Sequence, residues 1–170
     1  NEFWNKLNIP EQAYKSEEDV FLQNKHAYII PEYREDHNSD FYPKSYNGDA
    51  IVTIDDIRGC IHNHSTYSDG VNTLQEMTQA TADRNYEYLV ITDHSKSAFY
   101  AQGLSEERLM RQLDEIREID QSMDDFRLFS GIESDILSDG SLDYADEILA
   151  ALEVIVGSVH SNLKMDEAKA

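Results

Sequence analysis

The chain of 170 residues carries 34 acidic and 14 basic residues, for a formal net charge of −20 at pH 7, and 40% of its residues are hydrophobic. This length suits one ordinary domain with its own core, or one domain plus a fragment of another, and the composition is that of a folded protein. So acidic a surface repels phosphate backbones and excludes nucleic-acid binding through a basic patch. A phosphate ester would therefore need positive charge from bound cations.

The sequence has neither a membrane span nor a secretion signal. No apolar run approaches roughly 18 residues, and residues 1–20 lack a basic start followed by an apolar stretch. The lone Cys60 cannot form an intrachain disulfide, which fits a reducing compartment. These features predict a cytoplasmic protein that does not associate with membranes.

Residues 1–57 contain few regular elements. Ser16, with Asp19 three residues later, predicts the start of a short helix. Residues 31–50 are rich in Pro, Asn, Asp, Ser and Gly and predict a loop or linker, and IVTI at 51–54 predicts a short strand. A short α+β segment and a linker are thus expected before the main domain.

A regular alternation of apolar runs and amphipathic helical segments begins at Cys60. Helices are predicted from Thr73 to Asn85, from Ser105 with Leu109, Leu113 and Ile116 facing inward, and over Asp143 to Leu152. The predicted strands are CIHNH at 60–64, YLVITDH at 88–94, RLFSGIE at 127–133 and VIVGSVH at 154–160. Apolar strand interiors without polar alternation are typical of strands covered on both faces, so the pattern predicts βα units and a parallel sheet.

Each predicted strand ends in a potential metal ligand: His62 with His64, then His94, Glu133 and His160. The carboxyl ends of parallel strands lie side by side, so these residues should converge. Residues i and i+2 of a strand share a face, which would place the first two imidazoles together. Imidazole and carboxylate ligands without thiolate suit Zn, Mn or Fe.

Each motif taken alone also has a simpler explanation. A single histidine such as His26 or His37 is usually an ordinary core residue, and alternating histidines on a strand occur without metal. The SDG at 68–70 could be only a turn. The coincidence of ligand types at four strand ends favours a metal site over these alternatives.

The segments GCIHNHSTYSDG, ITDHSKS, SGIESDILSDGSLDY and VGSVHSNLKM resemble, in that order, the motifs of the polymerase and histidinol phosphatase (PHP) family. They are most similar to the PHP domain that follows the polymerase core in bacterial family X DNA polymerases. SEEDVF and YIIPEYRED are similar to the end of that core. The resemblance implies that residues 1–57 are the end of a polymerase-like thumb plus a linker, and that residues 58–170 are the N-terminal part of a PHP domain.

By this resemblance the fold is a distorted (β/α)7 TIM-like barrel, of which about four βα units are present. Two or three divalent ions are implied at its carboxyl end. The first would be held by His62, His64 and Glu133, the second by Glu133 and His160, and the third by Asp69 and His94. Asp93 is expected to orient its neighbours rather than to bind metal.

Two departures from the family pattern bear on these expectations. Cys60 stands where the family often has an aspartate, which would alter the surroundings of the site without removing a ligand. The sequence ends at Ala170, before the family's later ligands, a His and a closing Asp-x-His. We therefore expect a partial barrel with weak or no activity alone, whose open edge is covered by another chain or by residues beyond this sequence.

The function implied is metal-dependent 3′–5′ exonuclease hydrolysis at DNA ends within a DNA repair polymerase, whose core in the same protein would carry the basic surface. Lys96 and Arg34 are candidate contacts to substrate phosphate. Two alternatives are open: a small-molecule phosphatase of the histidinol phosphate type, and a non-catalytic structural PHP domain. The polymerase active site itself is not in this sequence.

Overall fold

A computed structural model describes residues 4, 7–31, 34, 52–161, 163, 164 and 166. The chain forms two compact units, Asn1–Val52 and Thr53–Ala170. Most of the linker predicted at 31–50 lies outside the described residues, as does His37. Among the described helices, none has both the length and the apolar character needed to cross a lipid bilayer.

The N-terminal unit contains the predicted helix, α1 (Glu17–Gln23). The Ser16 hydroxyl accepts a hydrogen bond from the Asp19 amide, and the Asp19 carboxylate accepts one from the Lys15 amide. The first of these contacts satisfies an amide group that the first turn of a helix leaves without a partner. Phe21 on this helix is buried and packs edge-to-face against Tyr28.

The strand predicted at 51–54 is wrong for the residues described there. Ile54–Asp56 form a 3₁₀ turn. Both the amide and the hydroxyl of Thr53 donate to the Asp56 carboxylate, at 2.7 Å each. This reciprocal capping explains why the short apolar run does not extend into a strand.

The second unit is a parallel α/β structure. Its elements in chain order are β1 (Gly59–Cys60), α2 (Leu74–Ala82), β2 (Tyr88–Ile91), α3 (Glu106–Gln121), β3 (Arg127–Asp135), α4 (Asp146–Leu149) and β4 (Val154–Ser158). The strands pair in parallel in the order β1-β2-β3-β4. The four strands curl into a half-barrel, so the predicted α/β class and partial TIM-like barrel are confirmed.

Helix α3 joins the two apolar clusters of this unit. Its predicted inward residues Leu109, Leu113 and Ile116 are all buried. Ile116 packs in a cluster with residues of β2 and β3, whereas Leu109 and Leu113 pack with Ile132 and others in a second cluster. The helix therefore fixes the position of β3, the longest strand, relative to the rest of the sheet.

Three of the four predicted strands extend too far at their carboxyl ends. β1 stops at Cys60, β2 at Ile91 and β4 at Ser158, so the potential histidine ligands lie just beyond these strands, whereas β3 continues past Glu133 to Asp135. Helix α4 is also shorter than predicted, because it begins after Ala145. The chain leaves regular strand geometry at the carboxyl edge, where side chains of several segments are brought together.

Truncating Leu113 to Ala tests the packing role of α3. Leu113 is 1% exposed, so the variant should lose about 2–5 kcal/mol of unfolding free energy through lost burial and the cavity left behind. Chemical denaturation measures this loss. Met110→Ala, on the exposed side of the same helix, should cost less than about 1 kcal/mol; equal losses would contradict the assignment of the buried face.

Candidate metal centre

Residues 61–64 continue alongside β2 although they are not part of a strand. The Asn63 amide donates to the Thr92 hydroxyl at 2.9 Å, and the Thr92 amide donates to the Asn63 carbonyl at 3.0 Å. The Asn63 side-chain amide donates to the Val90 carbonyl at 2.8 Å. These bonds hold the histidines on either side of Asn63 against the end of β2.

The strand geometry predicted for His62 and His64 is wrong. His62 has a φ of +58°, in the left-handed region that a non-glycine residue rarely adopts. The two rings nevertheless lie near each other, with centroids 5.8 Å apart. A left-handed residue of this kind is typical of functional sites, where the surrounding structure holds a backbone conformation that costs energy.

The Glu133 carboxylate is the centre of the cluster. Its side chain is 4% exposed and faces four imidazoles. Oε1 lies 3.1 Å from His62 Nε2 and 3.2 Å from His160 Nε2, and Oε2 lies 3.1 Å from His94 Nδ1 and 3.5 Å from His64 Nε2. The backbone brings Glu133 and His94 together through a parallel bridge beyond β2.

The predicted ligand residues form three overlapping groups. Within each group, the potential ligand atoms, one nitrogen or oxygen from each residue, all lie within 4.8 Å of one another. The groups are His62, His64 and Glu133; His64, Asp69 and His94; and His94, Glu133 and His160. The first group is the set implied for the first ion. The second group is the set implied for the third ion with His64 added, and the third group is the set implied for the second ion with His94 added. The structure thus brings the six side chains together, and their assignment to individual ions stays a prediction.

Asp69 reaches the cluster from a tight turn. Its Oδ1 lies 3.8 Å from His94 Nε2 and 3.9 Å from His64 Nδ1. A Cβ atom at the following residue, Gly70, would lie 2.1 Å from the His64 carbonyl oxygen, so only glycine fits this approach. The SDG segment is therefore a turn that also carries a member of the cluster.

The donor set fits divalent cations. Among the described residues, the buried atoms His64 Nδ1, His94 Nδ1 and Glu133 Oε2 have no hydrogen-bond partner. Buried polar atoms are seldom left in this state, because each costs about 1–3 kcal/mol without a partner. His94 Nδ1 and Glu133 Oε2 are close but outside hydrogen-bond geometry. A cation between imidazole and carboxylate ligands would satisfy these atoms.

Burial and neighbouring charges set the protonation of the cluster. Burial, reinforced by His94, lowers the pKa of His64 and keeps its ring neutral, as a metal ligand must be. Burial alone would raise the pKa of Glu133, but the Ser158 hydrogen bond and the surrounding histidines outweigh it and lower that pKa. The hydrogen bond to Asp135 raises the pKa of His160.

Asp93 anchors the loop that carries His64 and Asp69. It is completely buried and accepts five hydrogen bonds within the described part of the chain. The donors are the amides and hydroxyls of Ser65 and Ser68 and the side-chain amide of Gln112 on α3. These contacts support the expectation that Asp93 orients its neighbours.

Asp135 plays a corresponding part for His160, a role that was not predicted from the sequence. Its Oδ1 lies 2.5 Å from His160 Nδ1, and its Oδ2 accepts a hydrogen bond from the Ser97 hydroxyl at 2.5 Å. A carboxylate on one imidazole nitrogen orients the other nitrogen toward the ligand position. The available signal was spacing, since Asp135 follows Glu133 by two residues on the same strand face.

The two candidate phosphate contacts are both engaged elsewhere. Lys96 Nζ lies 3.3 Å from Glu106 Oε1 and 5.2 Å from the centre of the Tyr144 ring. Arg34 belongs to the N-terminal unit, where its guanidinium group contacts Glu17 at 2.5 Å and the Ile29 carbonyl. The geometry favours a structural role for Arg34, and phosphate binding by either residue stays a prediction.

Comparisons with known proteins show which family the chain resembles over most of its length. Residues 61–169 match the family described as PHP domain. The DNA polymerase/3′-5′ exonuclease PolX of Bacillus subtilis (strain 168) is 36% identical over 157 residues, which cover 92% of this chain and 27% of that protein. The chain thus spans about a quarter of the length of this curated relative, and the similarity extends into the N-terminal unit.

Replacing Asp93 by Ala should destabilise the protein by about 3 kcal/mol or more, because buried amides of the loop would lose their acceptor. Asp93→Asn should cost less, since one oxygen remains. Denaturant unfolding would measure both. The control Asp125→Ala, an exposed acidic residue, should change stability by less than about 0.5 kcal/mol. A cost for Asp93→Ala no larger than for this control would refute the anchoring role.

Asp135→Ala should weaken divalent metal binding by about 10- to 100-fold, because His160 would lose the group that orients it. Titration of the metal-free protein with Zn²⁺ or Mn²⁺, in competition with a chelator, measures the affinity. Circular dichroism checks that the variant is folded. Asp139→Ala removes an exposed carboxylate from the following turn and should bind metal like the unchanged protein. Unaltered affinity in Asp135→Ala would rule out its orienting role.

Proposed function

The chain belongs to the PHP domain family, and from this premise we propose that it is the metal-binding phosphoesterase part of a 3′–5′ exonuclease associated with a DNA repair polymerase. The observation that carries the proposal is the Glu133 carboxylate surrounded by four imidazoles, with Asp69 beside two of them. Such a set of side chains binds cations and has no evident structural purpose otherwise.

Two or three divalent ions would be held by the six residues of the cluster, which are His62, His64, Asp69, His94, Glu133 and His160. When bound, such ions supply Lewis acidity that activates water and neutralises charge on phosphate oxygens. The donor set suits Zn, Mn or Fe.

The protein's own residues hold this centre rigidly and leave one side open. Glu133 and His94 are buried at the base, whereas the His62 and Asp69 side chains are each 47% exposed. A substrate phosphate would therefore approach over the exposed residues. The buried carboxylates Asp93 and Asp135 fix the loops and rings, so that little reorganisation is needed when the substrate binds.

The N-terminal residues support the association with a polymerase. The relative named above is a polymerase and an exonuclease, and its similarity to this chain includes most of the residues before the PHP match. We assign residues 1–57 to the end of a polymerase-like thumb and a linker, and residues 58–170 to the N-terminal part of the PHP domain. DNA ends and a polymerase core in the same protein are the proposed partners. The open edge of the barrel is a proposed contact for another chain.

The alternative functions differ in what they require. A small-molecule phosphatase needs no polymerase-like segment, so the similarity before residue 61 disfavours it. A purely structural PHP domain would have no reason to keep three overlapping groups of ligand atoms. The exonuclease proposal accounts for both observations.

Replacing His62 and His64 together by Ala in the full-length natural protein tests this function. The double variant removes members of two ligand groups. Its rate of metal-dependent nucleotide release from DNA 3′ ends should fall by more than about 100-fold, which exceeds the loss expected when only a residue that orients a ligand is removed. His26→Gln serves as a control, because His26 lies in the N-terminal unit.

The assay uses end-labelled DNA with and without chelator, alongside a small phosphomonoester. DNA hydrolysis equal in the double variant and the unchanged protein would refute catalysis at this site. Efficient hydrolysis of the monoester with none of DNA would favour the phosphatase alternative.

A further inference from the structure

Two aromatic side chains stand in solvent beside the metal-ligand cluster. Phe99 is 84% exposed and Tyr100 is 64% exposed. Their ring centroids are 6.1 Å apart and the ring planes meet at 76°. The Tyr100 ring centroid lies 6.3 Å from those of both His94 and His160. We call Phe99 and Tyr100 the aromatic ledge.

The ledge residues are not what holds their loop in place. Ala98, Ala101 and Leu104 on either side are buried and provide the packing. The Ala98 amide donates to the Ser95 carbonyl at 3.0 Å, and the Leu104 amide donates to the His94 carbonyl at 2.8 Å. Buried residues and backbone hydrogen bonds therefore fix the turn that carries the exposed rings.

The loop also lies tightly against the segment that follows His94. The Gly103 amide donates to the Ala98 carbonyl at 3.0 Å. A Cβ atom on Gly103 would lie 1.9 Å from the Ser95 carbonyl oxygen, so the approach requires glycine. This packing presents the aromatic ledge at a fixed place next to the ligand cluster.

We propose that the aromatic ledge is a stacking platform for the base of the nucleotide whose phosphate lies at the ligand cluster. The Tyr100 ring, next to two histidines of the cluster, would stack on the base, and the Phe99 ring, nearly perpendicular to it, would form a side wall. This inference rests on the proposed function and specifies its substrate as a phosphodiester that carries a nucleobase. Stacking requires only the face of a ring, so all four bases are accepted.

Because the protein is strongly acidic, base stacking is an important possible source of affinity for DNA. With a net charge of −20, the chain gains little from long-range attraction to DNA. Lys96, which is near in sequence, is already paired with Glu106. Aromatic stacking adds affinity without a positive charge, and it acts on the part of a nucleotide that the metal centre does not contact.

The test compares two DNA substrates in the full-length natural protein loaded with metal. One has an intact 3′-terminal nucleotide, and the other has the same end without its base. The unchanged protein should show a kcat/KM about tenfold higher for the intact end, the size expected for one base stacked on an aromatic ring. Tyr100→Ala should remove this preference by losing activity on the intact end only. Tyr100→Phe, which keeps the ring, should retain the preference.

A second measurement needs no activity. With chelator present, a 3′-terminal 2-aminopurine should lose fluorescence on binding to the unchanged protein and to Tyr100→Phe, because stacking quenches it. Tyr100→Ala should leave the fluorescence high at saturating protein. Met110→Ala, an exposed position on α3, is the control and should behave like the unchanged protein in both measurements.

The outcomes separate this inference from the proposed function. Metal-dependent hydrolysis of DNA with equal rates on both ends, or a preference that persists in Tyr100→Ala, overturns the ledge alone. Loss of the preference in Tyr100→Phe also overturns it, since the hydroxyl rather than the ring would then be responsible. Absence of any metal-dependent DNA hydrolysis by the unchanged protein removes the proposed function, and the ledge with it.

Discussion

The buried Glu133 carboxylate constrains the rest of the site. A charged carboxylate taken out of water is tolerated only where opposite charges or donors compensate it. Glu133 has four imidazoles around it. They stabilise its negative charge when they are protonated, but protonating several of them side by side would build up repulsion. Cations shared between these groups would resolve the conflict, because they would let the imidazoles stay neutral and the carboxylate stay charged.

Parallel topology is what allows this concentration of ligands. Since β1 to β4 run in the same direction, the segments after them leave the sheet at one edge. Two more buried carboxylates hold these segments in place. Asp93 accepts hydrogen bonds from the loop that contains Ser65 and from Gln112 on α3, and Asp135 contacts His160 and Ser97. The site therefore consists of an inner layer of potential metal ligands and an outer layer that fixes their geometry, an arrangement that is usual in metalloproteins.

The order of elements and the convergence of ligands could be predicted from the sequence, because both follow from periodicity and from residue types at strand ends. The local geometry could not. His62 lies outside the strand at positive φ, and the capped turn at Thr53 replaces a strand, because hydrogen bonds of single side chains override weak strand preferences. Gln112 is a polar residue on the apolar face of α3, a position that indicates a buried polar partner. In the structure it is buried and donates a hydrogen bond to Asp93.

The acidic composition of the protein is compatible with the proposed DNA substrate, because the charge of the whole surface and the contacts at the ligand cluster act over different distances. At physiological ionic strength, charges beyond about 8 Å are largely screened, so acidic residues farther than this from the ligand cluster would have little effect on a phosphate bound there. Within that distance the balance of charge would be set by the proposed cations and by the groups that hold them. The acidic surface still repels DNA that comes close to it away from the site, so binding would depend on short-range contacts at the site itself. A protein of this kind would engage a DNA end through its metal centre and a neighbouring aromatic ring, and would gain its wider hold on DNA from a basic region elsewhere.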